Sequence, residues 1–67
     1  MNTDSLRNAY VTAYQAYSRE IDKTYQLLVV ATCGDEDLLS LQCECERQAF
    51  ERYYEARLNF LEAIQSA

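Results

Sequence analysis

The chain has 67 residues, of which 49% are hydrophobic and 25% charged, and its formal net charge is −5. It contains one glycine and no proline, so it lacks the turn residues that a β-sandwich, a barrel or a doubly wound sheet requires. Its hydrophobic content argues against disorder, and the composition predicts one small all-α domain. No apolar run approaches the ~18–20 residues of a membrane span. Because the N-terminus, MNTDSLRN, has no basic stretch leading into an apolar one, no signal peptide is expected and a cytoplasmic location is predicted.

The charge is unevenly distributed along the sequence. Residues 1–33 carry three basic and three acidic side chains, whereas residues 34–67 carry three basic and eight acidic ones. Direct nucleic-acid binding requires a basic patch that neutralises phosphates. Three arginines scattered among acids do not supply one, so no direct nucleic-acid binding is expected.

In chain order, the sequence predicts helix, turn and helix. Side-chain oxygens at residues 3–5 can cap a first helix. Residues 27–30 have strand propensity, but with no sheet to join they are expected to stay helical. Gly34 can close the first helix and Asp35 can cap the second. The predicted single domain 1–67 has a helix over about 4–32, a turn at 33–35 and a helix over about 36–65.

The apolar residues predict how the two helices pack. At about 100° per residue, each helix has one narrow apolar stripe, and together the two stripes form a predicted seam. Folding the chain at Gly34 opposes large residues to small ones, for example Tyr10 to Ala56, as an antiparallel hairpin requires. On the first helix the predicted seam is Leu6, Tyr10, Tyr17, Ile21 and Leu28. On the second it is Leu38, Cys45, Ala49, Tyr53, Ala56, Phe60 and Ala63.

Beside the seam, a second set of apolar side chains should merge on one side of the hairpin. We call this set the tyrosine strip. It comprises Val11, Tyr14, Tyr25, Val29, Leu39, Phe50, Tyr54, Arg57 and Leu61. One hairpin cannot bury such a strip, and exposed apolar patches mark protein contacts. We therefore expect a non-enzymatic interaction module whose hairpin is completed to a four-helix bundle, either by a second copy in a homodimer or by a different protein partner.

In length and layout, with Gly34-Asp35 at its turn, the predicted hairpin resembles the hairpin co-chaperones of type III secretion needle subunits. The resemblance implies a small bacterial adaptor or co-chaperone. Hairpin dimers that regulate plasmid RNA pairing share this plan, but their function needs a basic face.

Glutamates on the second helix suggest an alternative function. Four of them project in nearly the same direction, opposite the seam, and we call them the acidic ridge: Glu44, Glu51, Glu55 and Glu62. A solvated outer face is the plain interpretation. The alternative is an acidic regulator, bacterial or phage-borne, that imitates nucleic acid and binds a basic protein.

Three cysteines and no histidine leave a further alternative, a thiol-based redox or metal sensor built on Cys33 and Cys43. Cys43 is expected on the same side of the hairpin as the tyrosine strip and Cys45 on the seam, and a zinc site would need a fourth ligand. With no histidine, phosphate loop or enclosed pocket, the sequence predicts no catalytic residue, no metal ligand, no cofactor and no small-molecule substrate.

Overall fold

The computed structural model describes residues 3–30 and 36–66. Helix α1 spans Thr3–Tyr25 and continues as a π-helical segment over Gln26–Val30, and helix α2 spans Glu36–Gln65. The described part of the chain contains no strand. The two helices pack along their length as a hairpin, so the predicted all-α class and two-helix hairpin are confirmed. The predicted turn at 33–35 lies outside the described residues.

The π-helical segment occupies the stretch for which the sequence offered both helix and strand. Its sequence, QLLVV, ends in two β-branched valines, which fit the α-helix less well than leucine does. Residues 27–30 are helical, as expected, but with the wider π winding, which is rare and occurs mostly as single turns within α-helices.

The seam between the helices follows a heptad pattern. The side chains that are half-buried or buried along it are Leu6, Tyr10, Ala13, Tyr17, Glu20, Thr24 and Leu27 on α1, and Leu39, Gln42, Glu46, Ala49, Tyr53, Ala56, Phe60 and Ala63 on α2. Their spacing alternates strictly between three and four residues on both helices. That spacing defines the a and d positions of a left-handed coiled coil, in which the pattern repeats about every 3.5 residues.

Four predicted seam positions are wrong by one residue, and all four lie in the half nearer the turn. Ile21 and Leu28 are 43% and 61% exposed, and their neighbours Glu20 and Leu27 occupy the seam. The drift of a straight helix from a 3.5-residue repeat, about 20° per heptad, is too small over this stretch to exchange neighbours that are about 100° apart. The error arises because Glu20 is polar, so the apolar pattern passes from Tyr17 to Ile21, and Leu28 follows Ile21 by one heptad.

The errors on α2 have the same cause, because Glu46 is polar and Leu38 precedes Cys45 by one heptad. Leu38 and Cys45 are exposed, and the adjacent Leu39 and Glu46 are half-buried in the seam. Polar residues at several of the true positions strengthened the error, because a search for apolar periodicity passes over them.

The seam has an aromatic half and a polar half. In the half away from the turn, the Tyr10 ring lies between those of Tyr53 and Phe60, with centroids 5.6 and 6.0 Å away. This places Tyr10 about level with Ala56, in agreement with the expected register. Tyr17 stacks on Tyr53 at 5.5 Å. Aromatic pairs at such distances add stability beyond the area they bury.

In the half nearer the turn, hydrogen bonds join the helices. The Gln42 Nε2 amide donates to the backbone oxygen of Glu20 at 3.1 Å and to its carboxylate Oε2 at 3.2 Å. Thr24, with 8% of its surface exposed, donates its hydroxyl to the Glu20 backbone oxygen at 3.0 Å. The Gln42 bond, and then Lys23, lower the pKa of Glu20 because they favour its charged form.

The hairpin is a thin rod without a deep core. It measures 50 × 15 × 14 Å, with a radius of gyration of 15.2 Å, against about 11 Å for a compact chain of this length. In the described part of the chain only Ala49 and Thr24 are buried, and no large side chain is fully enclosed. The seam alone therefore removes little of the apolar surface from water.

Candidate protein-interaction surface

One long side of the rod carries a continuous apolar surface, which we call the apolar flank. It is formed by the e and b positions of both helices, because the e positions of an antiparallel coiled coil face each other across one side of the seam. On α1 the flank comprises Val11, Tyr14, Ile21 and Tyr25, extended by Leu28 and Val29 of the π-helical segment. On α2 it comprises Cys43, Phe50, Tyr54, Arg57, Leu61 and Ile64.

Ring contacts show that the contributions of the two helices meet. The Tyr14 ring lies 6.0 Å from Tyr53, and the Tyr17 ring lies 5.4 Å from Phe50. Phe50 in turn stacks on Tyr54 at 6.0 Å. The aromatic half of the seam therefore continues outward onto the flank as one surface.

Most of the flank is open to water. Tyr14 is 55% exposed, Phe50 42% and Tyr54 48%. Val11, Ile21, Tyr25, Leu28, Val29 and Ile64 are exposed to a similar or greater extent, and Leu61 is half-buried. A contiguous apolar surface of this extent is uncommon on a monomeric protein.

The flank contains eight of the nine residues of the tyrosine strip. The ninth, Leu39, lies half-buried in the seam. Sequence reasoning did not assign Ile21, Leu28 and Ile64 to this surface. The signal that would have found them is the heptad repeat, which places apolar residues at e as well as at a and d.

The flank is bordered by a tyrosine whose ionisation is disfavoured. A hydrogen bond with Tyr10 and, next, partial burial raise the pKa of Tyr53 above its ordinary value. Arg57 lies at an e position of the flank, one turn after Tyr53 on α2, and Arg7 and Arg47 occupy other e and b positions on the same side of the rod. The flank itself presents aromatic rings and a guanidinium, a combination that is common in protein interfaces.

On the opposite side of the rod, the g positions of α1 include the small residues Ala9 and Ala16, and those of α2 carry larger residues such as Arg52. A shallow groove of about 500 Å³ runs along it. Its lining is Asn8, Ala9, Thr12, Ala13, Ala16, Ala49 and Arg52. The two sides of the hairpin thus differ in shape, since one carries large rings and the other alanines.

The acidic ridge lies on the outer surface of α2, and all four of its glutamates are exposed. Arg47 stands between two of them. Its Nε donates to Glu44 Oε2 at 3.1 Å, and its Nη groups form ion pairs with Glu44 and Glu51. Arg47 lowers the pKa of Glu44. The ridge is therefore a partly neutralised row of carboxylates.

The thiols do not form a cluster among the described residues. Cys43 and Cys45 are both exposed, so the expectation that Cys45 lies in the seam is wrong. Residues 3–30 and 36–66 contain no group of three metal-ligating side chains placed to hold an ion. Cys33, on which the thiol alternative also depends, lies outside the described residues.

Comparisons with protein-family models, with curated proteins and with solved structures find no match for this chain. Within the two described segments, no helix combines the length and the apolarity that crossing a bilayer requires.

Proposed function

We propose that this chain is a non-enzymatic protein–protein interaction module, a small adaptor that binds another helical protein surface through the apolar flank. The observation that carries the proposal is the contrast between seam and flank. The seam encloses no large side chain, whereas the flank leaves Tyr14, Tyr54 and their neighbours about half exposed.

The chemistry of the flank supports helix binding. An exposed apolar surface formed side by side by two helices can pack against the apolar side of a third helix or of a second hairpin. Tyrosine and phenylalanine provide a large contact area at a low cost in side-chain entropy, and tyrosine adds a hydroxyl for directional bonding. Arg57 can pair with a carboxylate or stack on a ring of the bound protein.

The proposal is tested by binding measurements on two matched variants. The flank variant, Tyr14→Ala with Tyr54→Ala, removes two exposed rings. The control, Leu41→Ala with Leu58→Ala, removes two exposed apolar side chains that lie elsewhere on α2. Self-association is measured by sedimentation. Proteins that each form captures from the host are identified, and their complexes with this chain are reconstituted from purified components.

We expect the wild type and the control to bind alike and the flank variant to bind at least tenfold more weakly, which corresponds to about 1.4 kcal/mol. Helicity, measured by circular dichroism, should be retained in all three forms. The proposal is contradicted if the flank variant self-associates and captures proteins as strongly as the wild type does.

The acidic-regulator alternative predicts a different result. Glu51→Lys with Glu55→Lys reverses the charge of half the ridge and leaves the flank intact. We expect this variant to bind as the wild type does, with little dependence on salt, because apolar contacts are not screened. Loss of binding in this variant, with steep salt dependence in the wild type, would favour the regulator instead.

A further inference from the structure

We infer that the protein surface covered by the apolar flank is a second copy of this chain, packed flank to flank about a two-fold axis perpendicular to the rod. This inference rests on the proposed function and names the partner. The result is an antiparallel four-helix bundle in which the two turns lie at opposite ends.

The area of the flank matches what a stable dimer requires. The chain exposes 5249 Å², whereas a compact monomer of its mass exposes about 4,400 Å². The excess of about 850 Å² is close to the ~800 Å² that each partner buries in a standard interface. One long side of the rod, 50 by 15 Å, has a footprint of about 750 Å², so a single hairpin of the same size covers it.

The residue pattern also favours a second hairpin over a single added helix. Helices of a four-helix bundle carry apolar residues at a, d and one flanking position, whereas a two-stranded coiled coil needs only a and d. Here both helices carry large apolar residues at e, for example Tyr14 and Phe50, and both sets face the same side. Two such flanks are self-complementary, which is the requirement for a two-fold interface.

Charge determines the orientation of the two copies. Arg57 lies about level with Tyr10, whose ring is placed between Tyr53 and Phe60. In a parallel pair the two Arg57 guanidinium groups lie at the same level on diagonally opposed helices, so both positive charges share one end of the bundle. In the antiparallel pair the two Arg57 side chains lie at opposite ends, and each is level with Cys43 of the partner subunit.

The same geometry places Phe50 near the axis. Phe50 packs on Tyr17, which is close to the midpoint of the described helical stretch 3–30. When two rods overlap over their full length, their midpoints coincide. Phe50 should therefore meet Phe50 of the partner subunit.

The first test is the mass of the purified wild type in solution. We expect sedimentation equilibrium at tens of micromolar to give twice 7.8 kDa, and the flank variant to give half of that mass. A wild type that remains at the mass of one chain overturns the second-copy inference. The interaction-module proposal survives that result if captured proteins still bind through the flank, so the two failures are distinguishable.

The second test locates the axis by disulfide formation. In a background with all three cysteines replaced by serine, Phe50→Cys places a thiol near the proposed axis, and Leu58→Cys places one on the outer surface of α2. Each variant is first checked for helicity. We expect oxidation to link most of the Phe50→Cys protein into covalent dimers and little of the control. Equal linking of the two variants overturns the proposed interface.

The third test fixes the orientation, again in the serine background. Arg57→Cys chains are mixed with chains that keep Cys43 as their one cysteine, oxidised and analysed by mass spectrometry. The antiparallel dimer predicts that mixed links between positions 43 and 57 predominate. A predominance of links from 57 to 57 overturns the antiparallel arrangement.

Discussion

Replacing Tyr53 by alanine should remove the centre of the aromatic half of the seam. The Tyr53 ring contacts four others, with centroids between 5.5 and 6.2 Å away, those of Tyr10, Tyr14, Tyr17 and Phe50. No other ring joins as many partners from both helices in the described part of the chain. Its loss should therefore weaken the packing of α1 on α2 rather than only one local contact.

The magnitude follows from burial and chain size. Truncation of a buried aromatic residue to alanine costs about 3–5 kcal/mol, and Tyr53 is half-buried, so we expect the lower end, about 3 kcal/mol. A domain of this length has a total stability of roughly 3–10 kcal/mol. With an unfolding entropy of about 2.1 cal/mol/K per residue, the loss corresponds to a drop in Tm of about 20 °C.

The assay is thermal unfolding followed by circular dichroism at one fixed chain concentration, with two companion variants. Tyr53→Phe keeps the ring and should lower Tm by only a few degrees. Leu41→Ala, at a position that is 66% exposed, should likewise change Tm by only a few degrees. If Tyr53→Ala melts within a few degrees of Leu41→Ala, the aromatic cluster does not hold the helices together and the description of the seam is wrong.

Two further predictions concern the seam. Ala56→Leu should lower the free energy of unfolding by about 1–3 kcal/mol, because Ala56 faces the ring of Tyr10 and extra atoms there overpack the seam; an unchanged Tm would contradict the register. Gln42→Leu should make the free energy of unfolding depend less on pH in the acid range. Since the pKa of Glu20 is lowered in the folded state, its contribution is complete above the unfolded pKa and is lost as the pH falls through the folded one. Without the Gln42 bond, less stability is lost when Glu20 is protonated. The same pH dependence of unfolding in variant and wild type would refute this role of the Gln42–Glu20 bond.

The architecture could be predicted because the composition leaves few alternatives. One glycine and no proline in 67 residues exclude folds that need many turns, and apolar periodicity shows which sides of the helices pack. In the half away from the turn, the predicted seam residues from Tyr53 to Ala63 all lie where they were expected. There the pattern rests on large rings and alanines, which give a strong signal whichever helical period is assumed.

The half nearer the turn could not be predicted in the same way. Apolar periodicity cannot tell a step of three residues from a step of four where the true seam residue is polar, as it is at Glu20 and Glu46. In addition, Glu20, Thr24 and Gln42 occupy seam positions where an apolar residue is expected. Only the structure shows why polar side chains are accommodated there, since Gln42 bonds Glu20 across 22 residues of sequence and Thr24 bonds the Glu20 backbone within α1.

The polar half of the seam gives the proposed dimer a physical rationale. Near the turn the usual distribution is reversed, since Gln42 and Thr24 lie inside while Leu28 and Leu41 are 61% and 66% exposed. Polar contacts in a seam specify register at a cost in stability, so this half of an isolated hairpin should be the weaker one. In an antiparallel pair, the aromatic half of one copy packs over the polar half of the other. Each copy would then cover the exposed Leu28 of its partner with the ring-rich end of its own flank, and the weak half would be stabilised only on association.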